Sequence, residues 1–238
     1  MKTHLTNRRA VIGAGALLVG ATGVAMPAGA QTDNTGLPWQ PMPEAQDGWM
    51  DKPGTRHRLM FDSTAASAAE SAMFYADTYY AANKSGYGLD PQALGVILVL
   101  RHMATPFGYN DTVWAKHGAA FADKLKLAGE QAIRATKNNP LLSAANDGKA
   151  KNDPKSKDGD DAPVTLATLA AKGARFAVCG VATQGIAAQL AKGSDASAKA
   201  IEDELKANLI PGAVIVPAGI VAVDRAQEHG YAFVNIAE

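Results

Sequence analysis

The chain is 238 residues long and balances 23 lysines and arginines against 23 aspartates and glutamates. That balance leaves no basic excess to hold a phosphate backbone, so a nucleic-acid partner is excluded on charge. A single cysteine cannot close an internal disulfide, so the fold must rest on its apolar core.

Residues 1–30, MKTHLTNRRAVIGAGALLVGATGVAMPAGA, run from a basic start through an apolar middle to small residues. This is the layout of an export signal, with cleavage after Ala28-Gly29-Ala30 and a mature chain starting at Gln31. The pair Arg8-Arg9 ahead of the apolar run resembles a twin-arginine signal, which sends folded proteins across the bacterial inner membrane. The expected location is therefore the periplasm. The apolar run is short and rich in glycine and alanine, so no stable membrane span is expected after cleavage. Lys2, Arg8 and Arg9 are the only charges of the signal; without them 20 basic and 23 acidic residues remain, a formal charge of −3.

Residues 31–56 read as an extended arm. Pro38, Pro41, Pro43 and Pro53 exclude a regular helix. Trp39 and Trp49 expose too much apolar surface for a free linker and need cover, from their own domain or from a neighbouring subunit.

Residues 57–238 read as one α/β domain. HRLMFDS is a short strand. AAESAMFYADTYYAAN has apolar residues at helical spacing and is expected to stop near Gly86. ALGVILVLRH is a continuous apolar run, the mark of a strand buried on both faces. NDTVWAKHG starts a helix at an N-cap, Asn110 or Asp111, and is expected to stop at Gly118. AAFADKLKLAGEQAIRA is then a second helix. Residues 146–163 mix Lys, Asp, Gly and Pro with no aromatic or β-branched side chain, and read as a mobile charged surface loop. VTLATLAAKG is a helix ended by Gly173, ARFAVC a strand, GVATQGIAAQLAKG and SAKAIEDELKANL helices. AVIVPAG is a strand that must end at Pro217, IVAVDRAQEHG a helix closed by Gly230, and YAFVNIA the last strand. Five strands alternating with helices predict a parallel sheet with helices on both faces, a three-layer α/β/α sandwich.

Ligands of open parallel sheets bind outside the carboxyl ends of the strands. Those ends carry Asp62-Ser63, Arg101-His102, Cys179-Gly180 and Pro217-Ala218-Gly219. A thiol at the end of a strand faces the first amides of the next helix, which stabilise a thiolate. Gly180 lets the backbone turn closely behind the sulfur. Free cysteine is also among the most buried residue types, so the alternative for Cys179 is a small apolar filler. His102 is a candidate proton donor or base toward the thiol. Arg101 either holds an anion or pairs with Asp62. Asn110 and Trp114 are candidate pocket lining, together with Gly180, Pro217 and Gly219. No metal site is expected: His102, His117 and Cys179 are the candidate soft ligands, and no two share a recognisable ligand spacing. No cofactor is expected either, because GAGALLVG lies inside the export signal and follows no strand.

The second half resembles the DsrE/DsrF-like family of small sulfur-handling proteins. The resemblance rests on GARFAVCGVATQGIA, on LIPGAVIVPAGIVAVDRAQEHGYAFVNI, and on VILVLRHMATPFGYNDTVWAKHG, which is similar to the middle element of an exported branch. It implies a five-stranded parallel sheet and a homo-oligomer, a trimer or hexamer. It implies that Cys179 accepts sulfur as a persulfide and passes it between donor and acceptor proteins, a sulfur-carrier or sulfurtransferase role. The alternative is a non-catalytic oligomeric binding or structural protein with a small-molecule pocket at the strand ends.

Overall fold

The computed structural model describes residues 40–42, 44–143 and 163–236. The export signal, residues 31–39 of the arm with Trp39, and the charged loop up to residue 162 lie outside the described residues. The chain divides into Met1–Pro41 and Met42–Glu238, and the fold is that of the second unit.

Its centre is a five-stranded, wholly parallel sheet in the order β4-β3-β2-β1-β5. The strands are β1 (His57–Ser63), β2 (Leu94–Leu100), β3 (Arg175–Cys179), β4 (Ala213–Val216) and β5 (Ala232–Ile236). The helices are α1 (Ala66–Tyr87), α2 (Asp111–Leu125), α3 (Gly129–Ala135), α4 (Leu166–Ala171), α5 (Gly180–Ala191), α6 (Ala198–Ala207) and α7 (Gly219–Glu228). Central β2 is buried at every position, which is why its sequence is apolar without alternation.

Strand order decides where the helices go. From β1 to β4 the chain steps across the sheet in one direction, and right-handed crossovers put every intervening helix on one face. The core of that face accordingly gathers Phe61, Val96, Leu98, Leu100, Phe176 and Val178 with side chains from α1 to α6. The last crossover runs back from β4 to β5, beyond β1, so α7 falls on the opposite face. There Met60, Ile97, Val99, Ala177 and Val216 pack against Ala222, Val223 and Ala226 of α7. Burying a leucine or isoleucine in either layer stabilises the fold by about 2 kcal/mol. The three layers are those expected, but the second helical layer is thin.

Helix α1 ends at Tyr87, beside the expected Gly86, with Gly88 taking the left-handed turn (φ 64°) that returns amides to Lys84 O and Asn83 O. Two local readings differ from the structure. Helix α2 does not stop at Gly118. A Cβ at that position would lie 1.6 Å from Ala135 O, so this glycine serves a close approach of α3 rather than a stop. The helix ends instead at Lys126, whose φ of 54° breaks the run, and AAFADKLKLAGEQAIRA is thereby shared between α2 and α3. The arm is not extended throughout: Ala45–Met50 forms a 3-10 helix with Met50 in the core beside α7.

Candidate functional site

Side chains alternate along a strand, so residues in step with Val99 and Ala177 face the α7 side. At the carboxyl edge these are Asp62 after β1's Met60, Arg101 just beyond β2, and Cys179 at the end of β3. Arg101 bridges the middle of this row. Its Nε and one terminal nitrogen donate to the two Asp62 carboxylate oxygens at 2.7 and 2.8 Å. Asp62 is only 2% exposed, so the fork of two bonds is what makes a carboxylate tolerable there. These hydrogen bonds hold the Arg101 guanidinium above its ordinary range. The negative charges of Asp62 and of a Cys179 thiolate add to that, against the opposing effect of burial.

Cys179 is the N-cap residue of α5, and its Sγ accepts from the Ala182 N–H at 3.4 Å. That is the place usually taken by a serine, threonine or aspartate oxygen. The residue is 7% exposed. Its carbonyl accepts from the Thr183 hydroxyl at 2.8 Å, and Thr183 in turn accepts from the Tyr109 hydroxyl at 2.8 Å. Burial pushes the Tyr109 phenol up, so it stays protonated and donates. Sequence reading passed over Tyr109 and Thr183; only the i, i+4 spacing of Cys179 and Thr183 on a helix start hinted at the link.

The site sits where neighbouring strands send their chains to opposite faces. After β3 the chain turns into α5 on one face, and after β4 into α7 on the other. Such a switch point opens a crevice at the strand ends. Gly180 fits between the strands because a Cβ there would meet Val216 O at 2.7 Å and Pro217 O at 3.0 Å. Gly219 is needed because its Cβ would lie 2.5 Å from Arg101 Cβ, so the arginine lies against the first turn of α7. Pro217 is exposed at the rim, and its carbonyl accepts from Val181 N–H at 3.2 Å.

No family model, curated protein or solved structure matches this chain.

His102 is exposed at the same edge, with φ of 53°, a left-handed conformation uncommon outside glycine. No hydrogen bond or ion pair joins its ring to Cys179 among the described residues. Asn110 and Trp114 are not at this edge. The 3-10 helix His102–Gly108 carries the chain away before α2 begins. Trp114 is fully buried between Phe107 and Phe121, with Nε1 donating to Pro106 O at 3.0 Å. Asn110 caps α2 by accepting from Val113 N–H at 3.3 Å and is tied to Asn208. Both are therefore structural, which corrects their expected place in a strand-end pocket. Among the described residues no cluster of His, Cys, Asp and Glu could hold a metal ion, and no helix is long and apolar enough to cross a membrane.

Proposed function

We propose that the protein is an exported member of the DsrE/DsrF-like family that carries sulfur on Cys179 as a persulfide. The observation that supports this reading best is the N-cap position of the sulfur, at the sheet's switch point and beside the Arg101 guanidinium. A persulfide there offers an anion to an amide and to a guanidinium. In the step itself, the Cys179 thiolate attacks the outer sulfur of a donor persulfide. A new S–S bond forms on Sγ, the donor's S–S bond breaks, and the donor leaves as a thiolate. His102 is assigned the proton exchanged with that departing thiolate. Attack by an acceptor thiolate on the outer sulfur passes it on, so the cycle needs no oxidant.

The test is intact-mass measurement of the mature protein after exposure to glutathione persulfide. One added sulfur on the wild type and none on Cys179→Ser is expected. No gain, together with no alkylation until denaturant is added, would remove sulfur transfer. The low exposure of Cys179 favours that second reading, a non-catalytic oligomeric binding or structural protein in which the thiol packs as filler.

Periplasmic location through the twin-arginine route and assembly into a trimer or hexamer belong to the same proposal. Exposed Phe74 and Tyr75, in edge contact on the outer side of α1, are apolar surface that a second copy could cover. Replacing Arg8 and Arg9 by lysine tests the route, and sedimentation of the mature chain tests the assembly.

A further inference from the structure

Helix α1 runs for 22 residues and gives its inner face, from Ala68 to Tyr80, to the core. A surface helix ordinarily turns charged residues to water on the opposite side. This one does not. At about 100° per residue, Phe74, Tyr75, Ala81 and Ala82 lie within about 60° of Thr78 on the outer face, and Ser71 and Ser85 lie closer still to its midline. No charged side chain falls in that arc. Phe74 and Tyr75 are 62% and 49% exposed, with their rings edge to face at 5.7 Å. Apolar surface of that kind, continued by two alanines, marks an interaction face.

The order of residues along this face says what covers it. Thr78 is the midpoint: the bulky pair Phe74 and Tyr75 lies one turn before it, the small pair Ala81 and Ala82 one turn after, and Ser71 and Ser85 lie two turns out on either side. Run antiparallel against a copy of itself, the face sets each aromatic pair on the other's alanines and brings hydroxyl opposite hydroxyl. A parallel pair would put rings on rings and leave the alanines facing a gap. Charge agrees with the antiparallel choice. Glu70, Asp77 and Lys84 follow at seven-residue intervals down one flank. Asp77 is neutralised within the chain by Lys172 at 2.7 Å. Glu70 accepts from the neutral amide of Gln131 at 2.7 Å, and Lys84 has no carboxylate partner among the described residues. Reversing the direction of the second helix brings each copy's Lys84 to the other's Glu70.

We infer that α1 is a contact between copies of this chain, pairing antiparallel with α1 of a second copy about a two-fold axis at Thr78. The inference rests on the self-association proposed above and not on sulfur transfer. It narrows that proposal, because a two-fold contact belongs to a dimer or to an assembly of dimers such as a hexamer, and a ring of three lacks it. One helix pair buries less than the ~1,200 Å² of a standard interface, so on α1 alone the dimer dissociates in the micromolar range.

Sedimentation of the mature protein across micromolar concentrations, with variants of the exposed face, tests the pairing. Phe74→Asp should halve the assembled mass and leave the melting of the single chain intact, because the ring lies outside the core. Lys84→Glu should weaken association about tenfold, two ion pairs giving way to repulsion. Adding Glu70→Lys should restore it, since the double exchange rebuilds both pairs. In a Cys179→Ser background, Thr78→Cys should cross-link to itself under mild oxidation, and Ser194→Cys, exposed beyond the end of α5, should not. An oligomer that survives Phe74→Asp unchanged, with no cross-link through Thr78→Cys, keeps the self-association and overturns this face. A wild-type monomer at every concentration overturns both. Failure of the double exchange to restore association overturns the antiparallel direction.

Discussion

Cys179 caps α5 with its sulfur and is itself buried at the end of β3, two roles that substitution can separate. Serine keeps an acceptor for the Ala182 amide, whereas alanine leaves that amide without one. If the cap dominates, Cys179→Ser should unfold close to the wild type in urea. Cys179→Ala should then lose about 1 kcal/mol, the ordinary cost of a missing N-cap acceptor. An apolar filler predicts the reverse order, because a hydroxyl in an apolar site is penalised and a methyl is not. Arg101 is decided in the same way by its neighbour. Asp62 is buried and bound through both oxygens, so Arg101→Ala should cost about 3 kcal/mol by stranding the carboxylate. Adding Asp62→Asn should return part of that loss. Much of this row was legible in the sequence, because strand ends in a parallel sheet are identifiable and the pairing of Arg101 with Asp62 follows from adjacent strands. The error over Trp114 and Asn110 has a plain cause. HMATPFG carries no periodic signal, and it forms a 3-10 segment that carries the chain away from the edge before α2 begins, taking Asn110 and Trp114 with it.

Helix boundaries were misread where glycine served packing instead of termination. Gly118 is legible only as a helix breaker from sequence, yet it sits inside α2 under the Ala135 carbonyl. Since backbone cannot move aside as a flexible side chain can, Gly118→Ala should cost about 3 kcal/mol despite alanine's higher helix propensity. A gain in stability from that change, measured by the urea midpoint, would show that α3 yields freely. The link from α2 to α6 gives a pH prediction. Burial holds His117 below its ordinary value of 6.5, so the unfolded chain takes up a proton first as the pH falls. Hydrogen bonding to Lys116 holds Glu204 below its ordinary 4.5. For both groups the stabilisation is complete above the ordinary value and is lost as pH falls towards the depressed one. Melting temperature should therefore decline below pH 6.5 and again below 4.5, and His117→Gln should remove the first decline. An unchanged profile in that variant would assign the acid sensitivity elsewhere.

Across the whole molecule, chain direction explains an asymmetry that composition alone conceals. Among the described residues, four strands laid down in one direction commit six α-helices to one face, and the single return crossover leaves the ten-residue α7 for the other. Strands alternating with helices, and the unbroken apolar run of β2, made the two-faced sheet legible, but nothing in the arm's sequence specified what completes the thin face. The structure assigns that role to Ala45–Met50. Met50 is fully buried against Met60, Ile97 and Tyr231, and its carbonyl accepts from the Tyr231 hydroxyl at 2.8 Å. Lys52 fastens the segment further, donating to the carbonyls of Leu94 at 2.9 Å and Pro91 at 3.2 Å. The arm thus contributes Met50 to the core, and its removal should behave as a core deletion. Met50→Ala should cost about 3 kcal/mol, while Tyr231→Phe, which removes one hydrogen bond and leaves the ring in place, should cost about 1 kcal/mol. Deleting residues 42–52 should uncover Met60, Ile97 and Val99 and produce strong binding of an apolar dye together with a large fall in melting temperature. If the deletion melts as the intact chain does and binds no dye, α7 alone suffices to close that face, and the arm is only an attachment.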